Sequence, residues 1–363
     1  MSVLWLVVLT VVFAVLQAVL FRLNNYKRMT YERRFSAESA YEGDKVELIE
    51  RIQNEKRLPV PWLRAESRIP KAIAFEKEKL DAHEVSGGLY HKSIFYLSPM
   101  SRITRHHEVT LKRRGVYDAG SVALTAGDLF SIVRGERQLE TDCRIVVYPR
   151  ILSDDELPDP AHRWLGDAVV KRWIMPDPFL VNGIRDYRAG DSVRDVHWRA
   201  SARTGELRVK VRDFTSDPRA MVILNVQTSA QQWADVGLQD EETVEQAIRI
   251  AATICVRALR FGMDAGFATN ACLQGMMGSG EGILIPSKGG NAQKDRLLDA
   301  MAKMLLHREL NFHTFLNGLT DLHGEDILIL SFYDSDEIRE EMRRLEANGN
   351  HASLLLMKRG VSA

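Results

Sequence analysis

Cysteine is scarce in this chain of 363 residues: Cys143, Cys255 and Cys272 are the whole complement, odd in number, far apart and without a CxxC pair. That excludes a disulfide-framed scaffold and a cysteine zinc site, and fits a reducing compartment. A net charge is missing too, since 49 Lys and Arg balance 49 Asp and Glu. The balance hides an asymmetry: residues 1–219 carry 36 basic against 30 acidic side chains, and residues 220–363 carry 13 against 19. A basic half offset by an acidic half speaks against a dedicated nucleic-acid binder, whose basic excess would dominate its domain. With 45% hydrophobic residues the chain is neither mostly disordered nor fibrous, and its length suggests two folded units.

Charge is also absent from Ser2 to Phe21, where Ser2, Thr10 and Gln17 are the only polar residues. Twenty residues at about 1.5 Å each cover about 30 Å, the thickness of a bilayer's hydrocarbon core. The start, Met-Ser-Val-Leu-Trp, has no basic residue and no cleavage site precedes Arg22, which sets the run apart from a secretory signal. Arg22, Lys27, Arg28, Arg33 and Arg34 follow it against Glu32 alone. Basic flanks stay cytoplasmic, so the expectation is a single-pass cell-membrane protein, N-terminus out, with its soluble body in the cytoplasm.

From about Phe35 to Arg150 short β-like runs alternate with turns. Lys45–Ile52, Arg102–Lys112 and Arg144–Tyr148 read as strands, and Glu42-Gly43-Asp44, Gly87-Gly88, Arg114-Gly115 and Ala126-Gly127-Asp128 as turns. Short strands at this spacing predict an Ig-like β-sandwich. The last third differs. Ala220–Val226, Met263–Thr269, Gly282–Pro286, Asp326–Leu330 and Ser353–Met357 read as strands, and Glu241–Phe261, Gln293–Leu306 and Asp336–Ala347 as helices. That alternation implies a mostly parallel sheet covered by helices. Between the two, the acid- and proline-rich start at Asp154–Pro160 reads as a solvated linker.

The densest run of chemistry spans Arg185 to Lys210. It contains Arg185, Tyr187, Gly190, Asp191, Arg194, Trp198, Ser201, Ala202, Arg203, Gly205 and Leu207 in a fixed order, which resembles the signature of the "domain of unknown function 58" family. Arg113–Tyr117 and Gly127–Phe130 resemble two further segments of that family, the second departing from it at Leu129 and Ser131. Gly190-Asp191 reads as a turn. Eight basic and four acidic side chains from Arg185 to Arg212, with Tyr187 and Trp198 among them, suit either of two roles. In the first, Asp191, Arg194, Arg203 and Trp198 form a buried brace at the domain junction. In the second, the arginines and Ser201 face a partner or an anionic ligand. The interspersed acids speak against RNA binding.

The resemblance further implies that the last unit is a von Willebrand factor type A-like α/β domain of Rossmann type. It also implies a protein partner, a MoxR-type AAA+ ATPase. Such domains hold Mg²⁺ through Asp-x-Ser-x-Ser after the first strand, and this chain offers Asn225, Gln227 and Ser229 instead, with Phe332 where a later Asp is expected. Without those carboxylates no metal or other cofactor is expected. Gly275–Gly282 lacks the Gly-Lys-Ser/Thr of a phosphate loop. His106 and His107 alternate across a strand and cannot share a metal. His197 and Ser201 lack the surroundings of a base or a nucleophile elbow.

The expected architecture is a transmembrane anchor (1–23), a β-sandwich (35–150), a linker with the signature (151–218) and the von Willebrand A-like domain (219–360). The expected function is a non-enzymatic membrane adaptor, in contact with the lipid bilayer and a protein partner but not nucleic acid, acting in complex assembly or cell-envelope processes. The alternatives are an envelope enzyme using Arg185–Lys210 and a metal-dependent ligand-binding domain.

Overall fold

The computed structural model describes residues 2–24, 26–75, 82–85, 88–174, 181–188, 190–212, 218–232, 236–237 and 239–357, in two units, Met1–Arg150 and Ile151–Ala363. The first begins with helix α1 (Ser2–Asn24), almost wholly exposed along its apolar length. Among the described residues it alone is long and apolar enough to cross a membrane, and its composition fits a single span or a signal sequence.

Twelve strands follow among the described residues. β1 (Met29–Phe35), β2 (Ser39–Tyr41), β3 (Lys45–Asn54), β4 (Val60–Ile69), β5 (Ile73–Phe75) and β6 (Ala82–Val85) come first. β7 (Gly88–Leu97), β8 (Ser101–Leu111), β9 (Gly115–Asp118), β10 (Ser121–Gly127), β11 (Arg134–Glu140) and β12 (Arg144–Tyr148) complete the set. They form an antiparallel sheet β1-β3-β8-β5, a second antiparallel sheet β11-β10-β4-β7-β6, and a small sheet β2-β12-β9 in which β12 runs parallel to β2. The predicted sandwich-like body is therefore present. Alternation on β3 sends Val46, Leu48 and Ile52 inward. Ile52 meets Val60, Leu63, Phe95, Leu97 and Leu124 of the second sheet in one apolar cluster, while Leu48 joins Ile73, Leu111 and Ile145 in another.

Inward alternation on β1 places Arg33 between Tyr31 and Phe35, with a side chain that is fully buried. Arg33 is therefore part of the sandwich interior and not of the basic flank after α1, because strand pairing with β3 begins at Met29.

In the second unit the expected linker Asp154–Pro160 is mostly turn, and a helix begins at its end. Helix α2 (Asp159–Ile174) buries Ala161, Trp164, Leu165 and Ala168. Leu152 and Leu157 before it are buried as well, and Arg257 pairs with Asp154 while donating to the Leu152 carbonyl. The prolines mark the helix start, with Pro160 at its second residue, where a missing N–H costs nothing.

After the β13 (Val181–Asp186), α3 (Trp198–Thr204) and β14 (Arg208–Arg212) module comes an α/β fold. It contains β15 (Arg219–Leu224), α4 (Glu241–Arg260), β16 (Asp264–Thr269), β17 (Ala271–Leu273), β18 (Ile283–Lys288) and α5 (Asn291–Lys303). It closes with β19 (Met304–Arg308), α6 (Phe312–Gly318), β20 (Glu325–Ser331), α7 (Asp336–Ala347) and β21 (His351–Leu356). The main sheet has the order β18-β16-β15-β20-β21, parallel except for the edge strand β18. Met221, Ile223, Ile327 and Ile329 pack with Phe312, Leu316, Ile338 and Leu345 of α6 and α7. The second predicted helix, Gln293–Leu306, ends earlier than its apolar spacing suggested, because Met304 turns extended and pairs as β19 with β17.

Candidate functional site

The signature occupies β13, α3, β14 and the turns between them. β13 and β14 pair antiparallel, with Ile184 opposite Lys210 and Arg185 opposite Val209. The module's small interior holds Val196, Ser201 and Val209. Its turns are built by residues that the sequence singled out. Gly190 takes φ +107°, a left-handed conformation that favours glycine. Asp191 closes the turn by accepting from the Arg188 N–H at 2.8 Å, and the Tyr187 hydroxyl donates to the Asp191 carbonyl. Gly205 ends α3 in the left-handed conformation (φ +75°), donating its N–H to the Ser201 carbonyl.

Ser201 is a link between elements. Its Oγ accepts from the Arg208 N–H at 2.9 Å and donates to the His197 carbonyl, tying α3 to β14. His197 is equally committed: its Nδ1 accepts from the Ala200 N–H at 3.0 Å as the N-cap of α3.

The expected network of Asp191 with Arg194 is replaced by a pair six residues apart. Arg185 forks onto Asp191 through Nη1 and Nη2 at 2.6 and 2.7 Å. This bond, with the Arg188 N–H second, holds the half-buried Asp191 carboxyl down at about 2. Arg194 lies in a 3₁₀ turn (Val193–Asp195) that leaves it exposed. Arg203 and Trp198 are exposed too, Trp198 by 64%. A buried charge network is thus absent from the described part of the motif. Asp191→Ala should therefore lower stability only slightly, since an ion pair whose arginine is exposed is screened by solvent, and chemical denaturation should give Arg203→Ala and Asp191→Ala midpoints close to the parent's. A collapse of either variant would restore the bracing role.

At the carboxyl end of the parallel sheet, where open α/β sheets usually bind ligands, the position expected to be a degenerate metal site is filled by neutral groups. Asn225, Gln227, Asn270 and Ser331 are all buried. Asn225 donates to Ser331 Oγ and accepts from the Gln227 N–H; Asn270 accepts from the Val226 N–H and donates toward Asn225, Gln227 and the Leu310 carbonyl. Gln227 Oε1 also accepts from the Phe312 N–H at 2.7 Å. The amides spend their bonding capacity on one another and on backbone. Ser229 follows this network in sequence, and its carbonyl accepts from the Gln232 N–H.

A third constellation lies between the sandwich sheets and escaped the sequence reading. Glu50 of β3, His107 of β8 and His91 of β7 bring carboxylate oxygens and ring nitrogens within 4.8 Å of one another. His106, one residue away, points outward to Glu47, as alternation requires. Glu50 accepts from Tyr31 at 2.7 Å, Ser93 at 2.7 Å and His107 Nε2 at 3.0 Å. The Arg33 Nε stands 3.7 Å away. Burial alone would raise the Glu50 carboxyl, but the His107 bond and the charges of Arg33 and His91 outweigh it and hold it well below the usual carboxylate range. Burial, with Glu50 beside it, pushes the Tyr31 phenol well up. Two imidazoles and a carboxylate are a plausible donor set for Zn²⁺, yet Arg33 already neutralises Glu50, and a divalent ion would add charge beside a buried guanidinium. The set fits an internal ion-pair network better than a metal centre.

Residues 183–317 match a family model described as "Protein of unknown function DUF58". The match runs from β13 into α6, contains the whole Arg185–Lys210 run, and supports the resemblance read from the sequence. No curated protein matches the chain. Among solved structures, similarity is found to the CARDB domain of a Pyrococcus furiosus protein in complex with di-metal ions (15% identity, 33% of this chain and 91% of that one, TM-score 0.21). It is also found to a non-cellulosomal cohesin from Archaeoglobus fulgidus (13% identity, 37% and 96%, TM-score 0.20). A cohesin module from a Clostridium perfringens family 33 glycoside hydrolase is a third (10% identity, 33% and 100%, TM-score 0.22). At these scores the likeness carries no argument about activity or partners.

Proposed function

We propose that this chain is a membrane-anchored adaptor of the DUF58 family, without catalytic activity, that presents the β13–α3–β14 module to an acidic protein surface. One observation carries the reading: the module's residues divide into two classes. Gly190, Asp191, His197, Ser201 and Gly205 form turns, caps and cross-links, whereas Arg188, Arg194, Trp198, Arg199, Arg203 and Leu207 are exposed. Exposed Trp and Arg are the side chains that most often anchor protein interfaces. Of the four acids, Asp186 and Asp191 are already engaged with Arg208 and Arg185, so the exposed arginines give the surface a basic character.

On this reading α1 is the anchor and the 219–360 region a von Willebrand A-like scaffold, for which the mostly parallel sheet is the support. The neutral Asn225 network favours a scaffold over a metal-dependent binder. The partner proposed is an AAA+ ATPase of MoxR type, in complex assembly or a cell-envelope process. The body is proposed to be cytoplasmic. The test is binding of the purified, detergent-solubilised full chain to such an ATPase from the same cell. Trp198→Ala with Arg203→Ala should weaken binding at least tenfold while leaving the denaturation midpoint unchanged. Undiminished binding by a folded double variant would remove the module from the interface, and turnover of an envelope substrate abolished by the same change would favour the enzyme reading.

A further inference from the structure

Beyond α1 itself, the sandwich end where α1 arrives carries a second apolar surface. The β10–β11 loop exposes Leu129 (61%), Phe130 (49%) and Ile132 (63%). Three large apolar side chains on one short loop are more than scattered surface residues. The loop is held in that shape. Asp128 is fully buried and accepts from the Val133 N–H at 2.9 Å, and its own N–H bonds the Val133 carbonyl. Ser131 sits at φ +56° and accepts from the Trp62 indole N–H. Gly127 has to be glycine, because a Cβ there would lie 2.2 Å from the Trp62 ring. The neighbouring turns add Leu58 and Met100, the latter 69% exposed and at φ +49°, and the Met100 N–H bonds the Lys56 carbonyl.

The depth of this surface relative to α1 follows from direct contacts. Gln17, the last polar residue within the apolar run, donates to the Asp128 carboxylate, and the Leu129 N–H donates to Gln17 Oε1 at 3.3 Å. Arg22, the first charge on the helix, lies five residues further on, about 7–8 Å along the axis. If Arg22 marks the headgroup level, Leu129 meets the helix about 7–8 Å inside the hydrocarbon boundary, the depth at which interfacial elements seat their apolar faces. Irregular backbone survives at that depth only where protein satisfies its polar groups, and Gln17 does this for Leu129. A cleft of about 290 Å³ between helix and body is lined mainly by apolar groups, among them Phe13, Leu20, Phe21, Leu58, Pro59 and Leu129. Lys56 borders it, and the exposed Arg57 follows, so the rim suits anionic headgroups. Tyr26 fixes the geometry: its hydroxyl lies 2.8 Å from the Leu124 carbonyl and 2.7 Å from the Gly135 carbonyl.

We infer that the Leu129–Ile132 loop, with Leu58 and Met100 beside it, is a second membrane contact, seated in the same leaflet that α1 leaves and covered by phospholipid. The inference rests on α1 being a membrane span. The sandwich is then docked on the bilayer by two separate attachments, and the cleft beside Gln17 faces acyl chains.

The test uses the full chain in vesicles of phosphatidylethanolamine and phosphatidylglycerol. Cys143, Cys255 and Cys272 are buried, so introduced cysteines take an environment-sensitive fluorophore selectively. Phe130→Cys and Ile132→Cys report the loop, Val12→Cys the helix, and Lys45→Cys the far end of the sandwich. Phospholipids carrying a spin label near the headgroup end of the acyl chain should remove most of the loop fluorescence and leave the Lys45→Cys label bright. A helix label quenched by deep spin labels with a loop label as bright as the Lys45→Cys label would overturn the second contact and leave the span standing. If no label is quenched, the span fails and this inference with it. Equal quenching at Lys45→Cys would also sink it, since the whole body would then lie on lipid without a docked end.

Discussion

Glu50→Gln should destabilise the sandwich by about 3–5 kcal/mol, the usual cost of leaving one member of a buried ion pair uncompensated. The neutral amide cannot balance Arg33, which has no solvent within reach, and it offers donors where Tyr31, Ser93 and His107 all need an acceptor. Urea denaturation of the full chain in detergent would read the loss as a lowered midpoint for the sandwich unit. The same residue makes a pH prediction. Its carboxyl is lowered in the folded state, so the unfolded chain takes up the proton first as pH falls. The stabilisation is complete above the ordinary carboxylate value of about 4.3 and declines below it toward the lowered value. The parent should therefore lose stability more steeply below about pH 4 than Glu50→Gln does. Parallel acid slopes for the two proteins would show that the pair contributes nothing.

Asn270→Ala should cost the α/β unit about 3 kcal/mol, because it strands the buried Val226 N–H and the half-buried Leu310 carbonyl, at about 1–3 kcal/mol for each group. Asn270→Asp is the sharper variant. It keeps the acceptor for Val226 but turns a second acceptor toward Asn225 Oδ1, Gln227 Oε1 and the Leu310 carbonyl, where a donor is required. It should be at least as destabilising as alanine. An Asp variant as stable as the parent, and stabilised further by Mg²⁺, would instead mean that the sheet's carboxyl end tolerates a metal.

Much of the fold was legible because its signals are local. The strict alternation of β3, the apolar run of β15 and the 3.6-residue spacing of α4 each identify an element without reference to the rest of the chain. α2 was not read, because Asp154–Pro160 carries the composition of a loop, while Trp164, Leu165 and Ala168, which bury one face, lie just beyond it. β17 and β19 are a pair of short segments that are strands only by virtue of each other. In the signature, the glycine turns were readable from residue type. The Arg185–Asp191 fork was not, since it depends on the backbone reversal at Gly190 that brings positions six apart together. The Glu50 network was harder still: alternation could have flagged Arg33, Glu50 and His107 as polar residues on inward positions, but nothing in the sequence pairs β3 with His91 of β7, which belongs to the opposite sheet.

The parallel pairing of β2 with β12 has a consequence for how the protein is made. Ser39–Tyr41 must wait for Val146–Tyr148 before that small sheet can form, and Ile145 and Val147 are also needed to complete the core around Leu48 and Ile73. Synthesis therefore delivers α1 and the other strands of the sandwich before β2 and β9 find their partner in β12 and the first unit can close. Pairings this distant in sequence form late and slowly, and the exposed strand edges are prone to association until they do. A chain stopped before residue 144 should therefore accumulate as an open sandwich tethered by its first helix, a natural substrate for chaperones or proteases that work beside the ribosome exit.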